Sequence, residues 1–136
     1  MVKGEVMADT EKLTINMNAV ELGKVDLLVG EGHYSNRTDF IRSAIRSQLE
    51  KHAVEVQQSV VRSSYVVGTV FYNRDDLEKY KTRKEKVKIN VVGVCTLASD
   101  ISPTLAVDVV DSIKVYGIFQ ANADVKEALQ NAGKIL

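Results

Sequence analysis

The sequence predicts an α+β protein in two parts: a strand followed by two helices, then a small α/β domain of repeated strand–helix units. Three observations carry this. Polar and apolar residues alternate strictly over residues 12–17, the period of a half-buried strand. The period then becomes helical twice, with a glycine-bearing turn between the two stretches. Beyond residue 64, apolar segments, polar turns and helix-like stretches return at a spacing of 24 or 25 residues. The expected division is a short flexible arm at residues 1–10, a first domain at 11–62 and a second at 63–136.

In the strand, Leu13, Ile15 and Met17 share one face, and Lys12, Thr14 and Asn16 share the other. After Asn18, Leu22, Val25, Leu28 and Val29 recur at helical spacing and predict a helix of about a dozen residues ending near Gly30 and Gly32. Asn36 is a good N-cap for a second helix, and Asp39, three residues on, is its capping-box partner. The stripe Phe40, Ile41, Ala44, Ile45, Leu49 follows, with a continuation through Ala53, Val56 and Val60. A lone strand leaves its backbone groups without partners. Pairing with the same strand of a second chain across a two-fold axis resolves this, and predicts a homodimer. Lys12, Thr14 and Asn16 then face outward, twice over, on a ribbon that fits the major groove of double-stranded DNA.

These residues resemble a known family. Residues 12–49 are similar to the MetJ/Arc/CopG-type ribbon–helix–helix repressors: "KLTINMN" looks like their strand, and "GHYSNRTDFIRSAIRSQL" like their turn and second helix. The resemblance implies a sequence-specific transcriptional regulator, a repressor, in which Lys12, Thr14 and Asn16 contact base edges. It places the phosphate contacts at Asn36, Arg37 and Thr38, with the backbone amides of Arg37 and Thr38 as the clamp. The start of a helix offers free N–H groups and a positive dipole end, which agrees with that assignment. Asparagine suits adenine, lysine suits guanine, and threonine bonds to either or touches a thymine methyl. The competing reading of Thr14 and Asn16 is a solvated strand face.

In the second domain, "INVVGVCTLASDISPTLA" from Ile89 aligns with "IKVYGIFQANADVKEALQ" from Ile113, and a fainter copy holds Gly68 and Asp75. Asn73, Ser102 followed by Pro103, and Asn122 are the expected helix caps. Repeated strand–helix units predict a short parallel stack, a miniature solenoid that associates further into a higher oligomer. A compact ligand-sensing βαβ fold, and chance similarity of two apolar strands, are the alternatives.

Charge and composition narrow the function classes. Net charge is zero, with eight basic against nine acidic residues in residues 1–64 and ten against nine in 65–136. DNA binding therefore has to come from local placement rather than bulk charge. Lys12 is the lone cation of the strand and follows Glu11 directly. The longest apolar run, residues 91–98, is strand-sized and falls short of the roughly 18 residues of a membrane span. One cysteine suits a reducing cytoplasm, the expected location. Cys95 reads as a small core residue, and with only His33 and His52 for company it predicts no metal site and no cofactor. Gly68, Gly93 and Gly117 fall within apparent strands, where close packing or a bulge accounts for them. Lys79, Lys81, Arg83, Lys84, Lys86 and Lys88 read as an exposed connector. No nucleophile–base–oxyanion constellation is present, so an enzyme is not expected. An antitoxin-like interaction protein and a structural oligomer that uses its ribbon only to dimerise remain alternative functions.

Overall fold

Asn18 starts the first helix. Its side-chain oxygen accepts from the amides of Val20 (2.8 Å) and Glu21 (3.4 Å), which α1 (Ala19–Gly30) cannot bond internally. The computed structural model describes residues 10–136, and within them the chain is mixed helix and strand, with six helices and three parallel strands. It divides into two units, Lys12–Ser59 and Val60–Leu136. The arm expected at residues 1–10 lies, apart from Thr10, outside the described residues.

The first unit holds α1, α2 (Arg37–Lys51) and most of α3 (Ala53–Arg62). α1 has the expected length and end, and a left-handed Gly32 (φ +86°) follows it. Residues 12–17 form no strand in the single chain, and the ribbon is expected only between two chains. One expectation needs correction. The second helix does not run unbroken to Val60. It stops at His52 (φ −106°, ψ 15°), whose amide closes the last turn on Leu49 and Glu50, and α3 begins afresh at Ala53.

The second unit is built from β1 (Val66–Tyr72), α4 (Arg74–Thr82), β2 (Val87–Leu97), α5 (Pro103–Val109), β3 (Val110–Gln120) and α6 (Ala123–Asn131). The strands form one parallel sheet in chain order, β1-β2-β3. Gly68 pairs with Gly93 and Gly93 with Gly117, so the three glycines sit in a row across the sheet. At Gly93 and Gly117 a side chain has no room: a Cβ would lie 2.1 Å from the carbonyl oxygen of the preceding glycine in the row. Both also hold positive φ (139° and 125°), a conformation open to glycine.

Helix caps fix where each crossover turns. Asn73 and Asp76 form a reciprocal capping box, each side chain accepting from the other's amide at 2.9 Å. Ser102 caps α5 through Leu105 N, with Pro103 in the first turn. Asn122 stands at the cap position of α6 but makes no capping bond. Its amide nitrogen instead donates to Ser99 O (3.1 Å) in the preceding turn. The helices cover one sheet face, where Leu77, Leu105, Val125 and Leu129 close over Ile89, Val91, Cys95 and Ile113. Cys95 is fully buried there, and burial pushes its thiol up to about 11. Beyond β3, Ile113 exchanges backbone bonds with the chain end, donating to Lys134 O and accepting from Leu136 N.

Candidate nucleic-acid interface

The turn between α1 and α2 is held by short-range chemistry that the sequence supplies directly. Asn36 is extended (φ −166°, ψ 177°), and its side-chain oxygen accepts from Asp39 N at 2.8 Å. Asp39 returns a bond to Ser35 N (2.9 Å) rather than to Asn36 N, so the expected capping box closes one residue further back. The first main-chain bond of the helix runs from Phe40 N to Asn36 O. With the cap used by Asp39, the amides of Arg37 and Thr38 precede any residue able to bond back into the helix. They point their N–H groups along the positive end of a 15-residue dipole. Tyr34 and Phe40 meet edge to face across the turn, with ring centroids 5.0 Å apart, and brace it.

The Arg37 side chain is committed elsewhere. Its guanidinium grips the Asp26 carboxylate with two bonds, Nε to Oδ1 (2.8 Å) and Nη2 to Oδ2 (2.9 Å). This fork ties α2 to α1, holds Asp26 below the usual carboxylate range and raises Arg37 further. The fork takes two of the guanidinium's five N–H donors. Sequence reasoning missed Asp26, because a pair 11 residues apart on two helices has no local signature. It also left aside Arg42 and Arg46, exposed cations one turn apart on α2 that form no ion pair among the described residues.

The segment before α1 carries the other expected contacts. Lys12, Thr14 and Asn16 are all exposed, and so are the residues between them. Leu13 and Ile15, which that pattern assigns to a core, are 79% and 62% exposed in the single chain. Nothing within it brings Lys12, Thr14 and Asn16 together with Asn36, Arg37 and Thr38.

Other candidate groups resolve into local roles. His52 Nδ1 lies 2.9 Å from Glu55 Oε2 and lowers that carboxyl's pKa, while His33 stands 4.0 Å from Glu31. Among the described residues no three His, Cys, Asp or Glu side chains converge as a metal-binding group. Within the basic connector, Lys81 reaches Asp108 (3.6 Å) and Arg83 lies over the Tyr80 ring. No helix among the described residues is long and apolar enough to cross a membrane.

An N-capped helix pair with exposed apolar residues just before it, followed by a helix-covered parallel sheet, defines a two-part α+β protein. The chain belongs to the ribbon–helix–helix transcriptional regulator family, whose profile matches residues 8–126. That match extends through the second unit as well as the resembling residues 12–49. The chain is also similar to an uncharacterized protein of Methanocaldococcus jannaschii, 28% identical over 91 residues, which are 67% of this chain and 84% of the relative. No solved structure matches.

Proposed function

We propose that this protein is a sequence-specific DNA-binding repressor that acts in the cytoplasm as a homodimer, with higher association through its second unit. Residues 12–17 of two chains pair as an antiparallel ribbon. Lys12, Thr14 and Asn16 read base edges from it, while Asn36 presents the Arg37 and Thr38 amides to a phosphate. The observation that carries this reading is the exposure of Leu13 and Ile15 beside a capped helix pair, in a chain whose family regulates transcription. A ribbon from a second chain would give those side chains a core and the backbone its partners. No nucleophile–base constellation supports a catalytic role, and the protein is read as a non-enzyme. The second unit is read as a stack of repeated strand–helix units, the register of Gly68, Gly93 and Gly117 following their sequence spacing.

The test is affinity selection from random duplex DNA, followed by titration of wild type and the double variant Thr14→Ala/Asn16→Ala on selected and scrambled sites. At matched ionic strength, the variant should lose discrimination by roughly 1–3 kcal/mol per base contact. Its stability should stay near wild type, and its residual binding should still weaken with salt. Full preference in the variant would remove the ribbon as reading head. A wild type that binds no DNA at low salt would leave a protein whose ribbon only dimerises.

A further inference from the structure

β1 differs from the other two strands in what lies beside it. β2 is paired on both sides, and β3 has β2 on one side and the chain end against Ile113 on the other. The outer side of β1 has no partner among the described residues. Its sequence, VVGTVFY, has no charge, no proline and strong β-formers, so it lacks the usual devices that keep an edge strand from pairing. Val67 and Phe71 are exposed on the strand as well.

The glycine row adds a second, geometric observation. At Gly93 and Gly117 the space for a Cβ is filled by the carbonyl of the neighbouring strand. Gly68 adopts the same positive φ (132°) at the same register, yet nothing lies within 4 Å of its Cβ position. Its vacant Cβ direction corresponds to the one that in Gly93 points to the strand before it. At residue 68 that is the open edge, where a side chain would occupy the space of an incoming backbone. Glycine leaves this edge clear for a strand that the single chain does not contain.

We infer that the outer edge of β1 pairs antiparallel with the β1 edge of a second copy of this chain, joining two three-stranded sheets into one. Two arguments select that occupant. An antiparallel β1–β1 contact uses the same surface on both chains and closes at two, whereas adding β1 to the outer side of β3 is head-to-tail and open-ended. The outer side of β3 is also occupied at Ile113, and the strand carries Asp111 and Lys114, while β1 meets β1 with no charge on either side. The contact gives a location to the self-association proposed for the second unit, and it does not depend on the ribbon or on DNA.

The experiment uses full-length Thr69→Cys treated with a short bis-maleimide, in the wild-type background and in Ile15→Lys, which removes the ribbon. Cys95 is buried with a raised pKa, so the unsubstituted chain is the blank. Exposed Glu85→Cys, in the turn before β2, is the control for random collision. Most of Thr69→Cys should link into pairs in both backgrounds, and Glu85→Cys should not. Thr69→Lys and Thr69→Glu in the Ile15→Lys background should each associate roughly fivefold more weakly, from like charges across the two-fold axis. Mixing the two should restore association. Linking no greater than the control overturns the inference, as does linking lost together with the ribbon. Failure of the mixture to recover overturns the self-complementary contact, whereas loss of DNA binding alone leaves the inference standing.

Discussion

The two units follow the same local rules and reach opposite outcomes. Both use asparagine caps, Asn18 and Asn36 in the first and Asn73 in the second. Yet among the described residues, Val25 is the only buried hydrophobic one in Lys12–Ser59, while the others belong to Val60–Leu136. In the second unit three helices lie on one face of a sheet, and their stripes find a surface of matching width. In the first, the helices enclose no comparable core, and Ile45 and Leu49 stay exposed along with Leu13 and Ile15. Correct local structure does not by itself make a core. A surface must exist for it to close on, and the first unit draws that surface from a second chain in the function proposed above.

The largest expected effect separates the units outright. Ile15→Lys should abolish both association through the first unit and its folding. Cys95, in the second unit's core, should stay protected from thiol reagents. Sedimentation and far-UV circular dichroism read the first outcome and thiol labelling the second. A soluble, cooperatively folded monomer with its full helical signal would mean that the first unit needs no partner.

Glycine substitutions sharpen the same contrast with opposite signs. Gly93→Ala drives a Cβ into the Gly68 carbonyl at an unfavourable φ and should cost the second unit roughly 3–5 kcal/mol. Gly23→Ala, in the middle of α1 with nothing within 4 Å of its Cβ, should stabilise the first by about 0.5–1 kcal/mol. Denaturant titrations of the two variants check both values. A tolerated alanine at 93 would show that the strands can separate locally without losing the sheet.

Asn36→Ala is smaller, about 1 kcal/mol of helix stability. It should weaken binding to all DNA sequences alike, since phosphate contacts position the protein without specifying sequence. A loss confined to particular bases would make Asn36 a reader of sequence. The smallest effect comes from pH. Asp26 has a folded pKa below its ordinary value, so its pairing with Arg37 stabilises the fold above that ordinary value. The contribution falls away as pH drops through the folded pKa, while Arg37 stays charged. Both groups are in solvent, so an acid titration followed by NMR of the α1–α2 turn is the suitable measure. No change at that turn would show that the fork is ornamental.

Much of the fold was legible because its signals are local. Asn18, Asn36, Asn73 and Ser102 each bond amides within three residues of themselves, and each marks a real helix start. The positions of Gly68, Gly93 and Gly117 within strands were legible too, since glycine amid β-branched residues points to a close backbone approach. Signals that depend on a distant partner were not. The break at His52 has no glycine or proline to announce it. Asn122 looks like a cap by sequence, yet its side chain is drawn to Ser99, which only the neighbouring crossover places within reach. Asp26 and Arg37 each read as ordinary surface charge until the helices meet. At the candidate interface, the cap at Asn36 was readable, whereas residues 12–17, which alternate like a strand, form none in the single chain.

Because strand order in the sheet equals order along the chain, each crossover connects immediate neighbours and no segment passes over another. Such a unit can lengthen by copying: duplicating the stretch from one row glycine to the next would add a strand, a helix and their caps without rerouting what precedes or follows. The contacts that a new copy needs are already of the kind Asn122 makes with Ser99 and Asp100 makes with the Arg74 amide, each reaching one crossover away. Gene-level growth by internal duplication is therefore a route this architecture leaves open. Its cost falls at one place, the junction at Ile113, where residues 134–136 would have to be moved to the new last strand.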